Sequence, residues 1–153
     1  MPDQDQPRRG PAAAAATDPS PGVAALFDAA TAVRARAYAP YSGFAVGAAV
    51  EDEVGRIHAG CNVENAAYPV GTCAEAGALA AMVAAGGTRV RAALVLGDGP
   101  APVTPCGACR QRLREFASPE TPVHVADPRG LRLTLTVAAL LPASFGPETL
   151  RGD

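Results

Sequence analysis

Residues Gly43–Val63 read "GFAVGAAVEDEVGRIHAGCNV". Phe44, Val46, Ala48 and Val50 alternate with small residues, a period of two that predicts a strand. "DEVG" (Asp52–Gly55) supplies turn chemistry, and "RIHAGCNV" (Arg56–Val63) returns as a second strand. The stretch therefore predicts a β-hairpin.

On its N-terminal side, "GVAALFDAATAVRARAYAP" places Val23, Leu26, Phe27, Ala30 and Val33 at helical spacing. Asp18 and Ser20 stand upstream as caps and Pro40 as a stop. On the other side, "CAEAGALAAMVAAGG" has no β-branched residue before Val83 and ends on two glycines, predicting a helix from near Cys73 to Gly86. "VRAALVLGD" reads as a buried strand, and "GACRQRLREFAS" as a short helix with Leu113 and Phe116 on its apolar side. "PVHVADP" and "LRLTLTV" read as two more strands, and "VAALLPASF" as a terminal helix. The order αββαβαββα predicts an α/β protein with helices around one mixed sheet of five strands.

The chain has 153 residues, enough for one domain with its own core. Residues 1–20 are polar, proline-rich and aperiodic and read as a disordered tail, leaving 21–150 as the domain. Net charge is −2 with both signs interspersed, and the only basic pair of note, Arg8 and Arg9, lies in that tail. A nucleic-acid polymer is thus disfavoured as partner, since binding it calls for a basic face. No apolar run reaches the length of a membrane span, and the N-terminus lacks the apolar segment of a secretory signal. The expectation is a cytoplasmic protein with reduced thiols. The terminal Arg151-Gly152-Asp153 is read as a chance tripeptide.

Three of the four cysteines carry the chemistry. Cys106 and Cys109 form a C-x-x-C, a spacing shared by zinc sites and redox pairs. Pro105 before the pair, Cys73 at the start of another helix and Glu75 two residues after it shift the reading toward metal. Helix N-termini favour thiolates over thiols. Three converging thiolates make a zinc site with its fourth tetrahedral position open to water, the form of a catalytic site. His58 and His124 fall in strand patterns and are not read as ligands. Glu75 can then take a proton from the water as general base; alone, it would be only an acidic residue favouring a helix start. Cys61 is read as a small buried hydrophobe.

"YAPYSGFAVGAA", "GCNVENAAYPVGTCAE", "PCGACRQ" and "SFGPETL" together resemble the cytidine deaminase family, over about Tyr38 to Leu150, and within it the small homotetrameric branch with three cysteine ligands. The resemblance implies a three-layer α/β/α fold and one Zn²⁺ per subunit on Cys73, Cys106 and Cys109. It implies Glu75 as the proton shuttle and the Ala74 N–H on the pyrimidine carbonyl. Asn62 and Glu64 would hold the ribose hydroxyls, Phe44 would pack on the base, and Phe145 would reach a neighbouring subunit's pocket. The expected reaction is deamination of cytidine and 2′-deoxycytidine in pyrimidine salvage. Many members place arginine after the catalytic glutamate, offsetting the thiolate charge; here Ala76 stands there, with Arg110 and Gln111 as candidates to compensate. Two rival readings are a deaminase of another small cytosine compound, such as an aminoacyl-nucleoside antibiotic, and a zinc-stabilised module without activity.

Overall fold

The computed structural model describes residues 21–151. The hairpin is present: β1 (Val46–Asp52) and β2 (Ile57–Cys61) pair antiparallel, with Ala49 opposite Ala59. Three further strands complete the sheet, β3 (Val90–Gly97), β4 (Pro122–Asp127) and β5 (Gly130–Thr136), in the order β2-β1-β3-β4-β5. Only β3 and β4 run parallel. A parallel pair needs a crossover, and the helix α3 (Gly107–Phe116) lies on it.

Helices cover both faces. α1 (Pro21–Arg34) buries Leu26 and Ala30 against Ala49, Leu94, Leu96 and Ala126. On the other face α2 (Ala74–Ala84) and α3 bury Ala78, Leu79, Met82 and Leu113 against Ala48, Val50, Val95 and Val123. Hence Ala48, Ala49 and Val50 are all buried, and small residues alternate in β1 because each side meets a helix. Two glycines make the close approach. A Cβ on Gly47 would lie 2.1 Å from Ala30 O of α1, and one on Gly60 would lie 2.3 Å from Ala78 N and 2.6 Å from Ala74 O. Gly60 thereby seats the first turn of α2 directly on β2.

At the far end of the hairpin the fully buried Asp52 closes the turn. Its carboxylate accepts from Val54 N, Arg56 N and Arg56 Nε and lies 2.9 Å from His58 Nε2. Burial alone would raise its pKa, but hydrogen bonds from His58, Arg56 and Val54 outweigh it and hold the carboxyl well below the usual range. Arg56 Nη1 continues to Ala85 O and ties the turn to the end of α2.

Three boundaries differ from expectation. The first helix stops at Arg34 instead of running toward Pro40, because Tyr38 is taken into backbone pairing with Asn62 and Glu64. Phe44 precedes β1 because the Asn62 side chain occupies the pairing position, accepting from Val46 N at 2.8 Å and donating to Phe44 O at 2.9 Å. The terminal helix is only α4 (Val137–Leu140), capped by Thr136 and ended ahead of Pro142. A second short helix, α5 (Glu148–Arg151), and a 3₁₀ turn at Tyr68–Val70 were not expected. The tail at 1–20 and the final Gly152 and Asp153 lie outside the described residues.

Candidate metal and active site

Both helices on the cysteine-bearing face begin on a thiol. Cys73 is the N-cap of α2 and Cys106 the N-cap of α3, each with extended backbone (φ −74°, ψ 156° and φ −66°, ψ 165°) and no side-chain cap bond. Both helices start where the sequence puts them, α2 one residue after Cys73 and α3 at Gly107. Cys109, on the first turn of α3, is fully buried. The first N–H groups of both helices are without intrahelical acceptors. That of Ala74, a buried residue opening α2, is among them.

The three Sγ atoms lie within 4.8 Å of one another, and Cys73 Sγ is 3.8 Å from Cys106 Sγ. A tetrahedron with Zn–S bonds of about 2.3 Å has edges of about 3.8 Å. The donor set asks for a cation on electrostatic grounds as well. Burial pushes the Cys73 thiol up, and the Cys106 thiol and Glu75 charge add to it. Burial, the Glu75 charge and the other two thiols push Cys109 far up. Burial works against Cys106 too, but the Cys109 N–H and the neighbouring thiols bring it below the usual value. Three thiols cannot all ionise in so small a volume unless a cation sits among them. The residues fit zinc.

Glu75, second residue of α2, is buried beside these thiols. The histidines stand apart: His58 pairs with Asp52, and His124 Nδ1 lies 2.8 Å from Thr134 Oγ1. Cys61 is half-buried in β2, outside the cluster.

Asn62 and Glu64 both turn toward the 41–46 segment. Asn62 braces Phe44 and Val46 as described, while Glu64 accepts from Tyr41 N at 2.9 Å, Ser42 N at 3.2 Å and the Ser42 hydroxyl. The Ser42 hydroxyl first, then the Tyr41 N–H, lower the Glu64 pKa against a smaller burial effect. Glu64, Tyr41, Ser42, Asn65, Tyr68 and Gly71 line an open cavity of about 350 Å³. Val63 and Thr72 exchange backbone hydrogen bonds, so this cavity wall leads directly into Cys73. Tyr41 and Tyr68 stack edge to face with centroids 5.9 Å apart. Ser42 and the two tyrosines had no individual role in the sequence reading, because their contacts with Glu64 and with each other span more than twenty residues.

Phe44 is partly exposed and its ring faces the backbone at Gly99. Phe145 is 56% exposed, in a segment held on α3: Gln111 Nε2 donates to Phe145 O, Arg114 Nε to Ser144 Oγ, and Arg114 pairs with Glu148. The Gln111 amide is thus committed away from the thiols.

A mixed sheet flanked by helices, with three thiols at two converging helix starts and a buried glutamate beside them, can hold a metal ion next to a carboxylate able to transfer protons, the arrangement of a hydrolytic active site. Residues 23–125 match the family model described as the cytidine and deoxycytidylate deaminase zinc-binding region. The chain belongs to the cytidine deaminase family, whose reaction is hydrolytic. It is 45% identical over 117 residues to a cytidine deaminase of Sporosarcina psychrophila, covering 76% of this chain and 86% of the relative. A cytidine deaminase of Mycobacterium tuberculosis H37Rv is 41% identical over 122 residues, 79% of this chain and 87% of the relative. Among solved structures, the cytidine deaminase of Burkholderia pseudomallei superposes with TM-score 0.76 at 43% identity, covering 80% of this chain and 98% of that one. The Mycobacterium leprae enzyme gives 0.69 at 42% identity, covering 78% and 97%.

Proposed function

We propose that residues 21–150 form a catalytic domain that hydrolytically deaminates cytidine and 2′-deoxycytidine to the uracil nucleosides in pyrimidine salvage. The observation that carries this is Glu75 buried against three thiols at two helix starts. Cys73, Cys106 and Cys109 hold one zinc per subunit, which when bound supplies the electrophilic activation of water. Glu75 takes a proton from the attacking water and delivers it to N3 as oxygen adds to C4 of the base. It then carries the remaining hydroxyl proton to the amino group. The C4–N bond breaks, ammonia leaves and the C4 carbonyl forms, so atoms and charge balance. The Ala74 N–H contacts the pyrimidine carbonyl oxygen.

Glu64, kept ionised by Ser42 and Tyr41, accepts hydrogen bonds from ribose hydroxyls, and Asn62 both contacts the sugar and braces the 41–46 segment. Phe44 packs on the base. The assembly is a homotetramer in which Phe145 reaches a neighbouring site; the exposed Tyr38, Tyr68 and Val70 support burial against a second copy. Among the described residues no helix is long and apolar enough to cross a membrane, and acidic and basic residues nearly balance at a net charge of −2; the reading is a cytoplasmic enzyme of free nucleosides rather than of a nucleic-acid polymer. The test is ultraviolet-monitored loss of cytidine by wild type and Glu75→Ala at equal zinc content. Uridine from the wild type alone supports the reading; two inert, zinc-loaded proteins would remove cytidine as substrate.

A further inference from the structure

Arg110 follows the buried Cys109 in the chain, and its contacts converge on Cys106. Its backbone N–H donates to Cys106 O at 2.9 Å and its side-chain Nε to Pro105 O at 2.7 Å. The first is the helical bond that any non-proline residue at 110 would make, so the guanidinium's own contribution is to hold the carbonyl that precedes Cys106. The rest of the guanidinium reaches Thr104 Oγ1 at 3.2 Å and Leu140 O, at the end of α4, at 3.0 Å. Cys106 needs such support. It is the exposed member of the trio, and as N-cap of α3 its thiol makes no capping bond, lying instead 3.8 Å from Cys73 Sγ. Pro105 before it is fully buried but brings no N–H with which to anchor the loop.

Charge compensation for Ala76 is the obvious alternative. Among the described residues, however, the hydrogen bonds of Arg110 all end on oxygens and none on sulfur. A planar fork holds several acceptors in one arrangement, which a lysine ammonium of equal charge does not reproduce.

We propose that Arg110 is a positioning residue that clamps the Thr104–Cys106 loop to α3 and α4, presetting the Cys106 thiol for zinc. This rests on the reading of the three cysteines as the zinc site. Outer residues that orient ligands are typically worth 10- to 100-fold in metal affinity.

The experiment is zinc affinity by competition with a chromogenic chelator for wild type, Arg110→Ala and Arg110→Lys, with circular dichroism of each zinc-free protein. Both variants should bind zinc about 10- to 100-fold more weakly while remaining folded, with lysine giving no rescue. Wild-type affinity in Arg110→Lys would show that charge suffices and overturn the clamp; wild-type affinity in Arg110→Ala would remove any role. A loss that merely tracks unfolding of the zinc-free protein also overturns it. If Arg110→Ala does not fold, Arg110→Lys decides alone. A wild type that takes up no zinc sinks the cysteine reading itself, and the clamp with it.

Discussion

Cys73 Sγ and Cys106 Sγ lie 3.8 Å apart although 33 positions separate them, and each caps a different helix. Neither residue belongs to the two apolar clusters that hold the helices on the sheet. Stripping zinc with a strong chelator should therefore abolish deamination while the far-ultraviolet dichroism stays native-like. The melting temperature should fall, since a ligand that binds only the folded state stabilises it. Re-added zinc should restore activity. Collapse of the dichroism on chelation would instead favour a purely structural metal.

Gly60 should not tolerate a side chain. A Cβ there meets backbone atoms of α2 at 2.3 and 2.6 Å, which cannot move without shifting the helix that carries Glu75. Gly60→Ala should cost about 1–3 kcal/mol or more and lower activity beyond its effect on stability. Gly77, facing Gly60 from α2, is the control: its Cβ would sit 3.4 Å from Gly60 Cα, ordinary contact. Gly77→Ala should be tolerated, with a gain of up to about 1 kcal/mol from helix propensity. Thermal melts and cytidine turnover on the two variants check the contrast; equal behaviour would mean that α2 can slide on β2.

Ser42 should act on substrate affinity rather than on chemistry. Its hydroxyl donates to Glu64 and its Oγ accepts from Phe44 N at 3.0 Å, so it links the carboxylate to the loop before β1. Ser42→Ala removes one charge-assisted donor but leaves the Tyr41 and Ser42 N–H groups on Glu64. The expected result is a rise in cytidine KM of about three- to tenfold with kcat nearly unchanged. A fall in kcat at constant KM would place Ser42 in the chemical step.

His124 should make stability fall on mild acidification. Burial in β4 holds its pKa below the usual histidine value, so between that value and the lower folded one the unfolded chain binds more protons. Its contribution is intact above about pH 6.5 and declines as pH drops through the folded pKa. Urea midpoints at pH 7.5 and 5.5 should therefore differ more for wild type than for His124→Gln. An identical drop in both proteins would assign the effect to other groups.

The sequence carried the sheet, the layer order and the meeting of the three thiols because each leaves a local trace. Alternation marks β1, the alanine-rich run marks α2, and the spacing of Cys106 from Cys109 is visible without any fold. What it did not carry depends on contacts between distant residues. The end of α1 is decided by Tyr38 pairing with the Asn62 and Glu64 backbone, and the start of β1 by an amide 16 residues away. Arg110 is the sharpest case. Its position after Cys109 suggests charge for the thiolates, whereas only the fold shows its guanidinium spent on Pro105, Thr104 and Leu140.

The C-terminal segment should behave as an extension of α3. Gln111 and Arg114 hold Phe145 O, Ser144 Oγ and Glu148 from one side of that helix, so residues 143–147, between α4 and α5, are carried by polar contacts. Arg114 is largely covered while Glu148 is mostly exposed, so the ion pair alone is worth about 1 kcal/mol or less. The Ser144 bond and the packing of the arginine stem add to it. Arg114→Ala should thus disturb the segment more than Glu148→Gln does. Limited proteolysis within 141–148 should accelerate several-fold in Arg114→Ala and little in Glu148→Gln. If Phe145 serves a neighbouring site, the same variant should raise cytidine KM while leaving zinc content unchanged. Faster proteolysis with unaltered KM would leave the segment clamped by α3 but take Phe145 out of substrate binding.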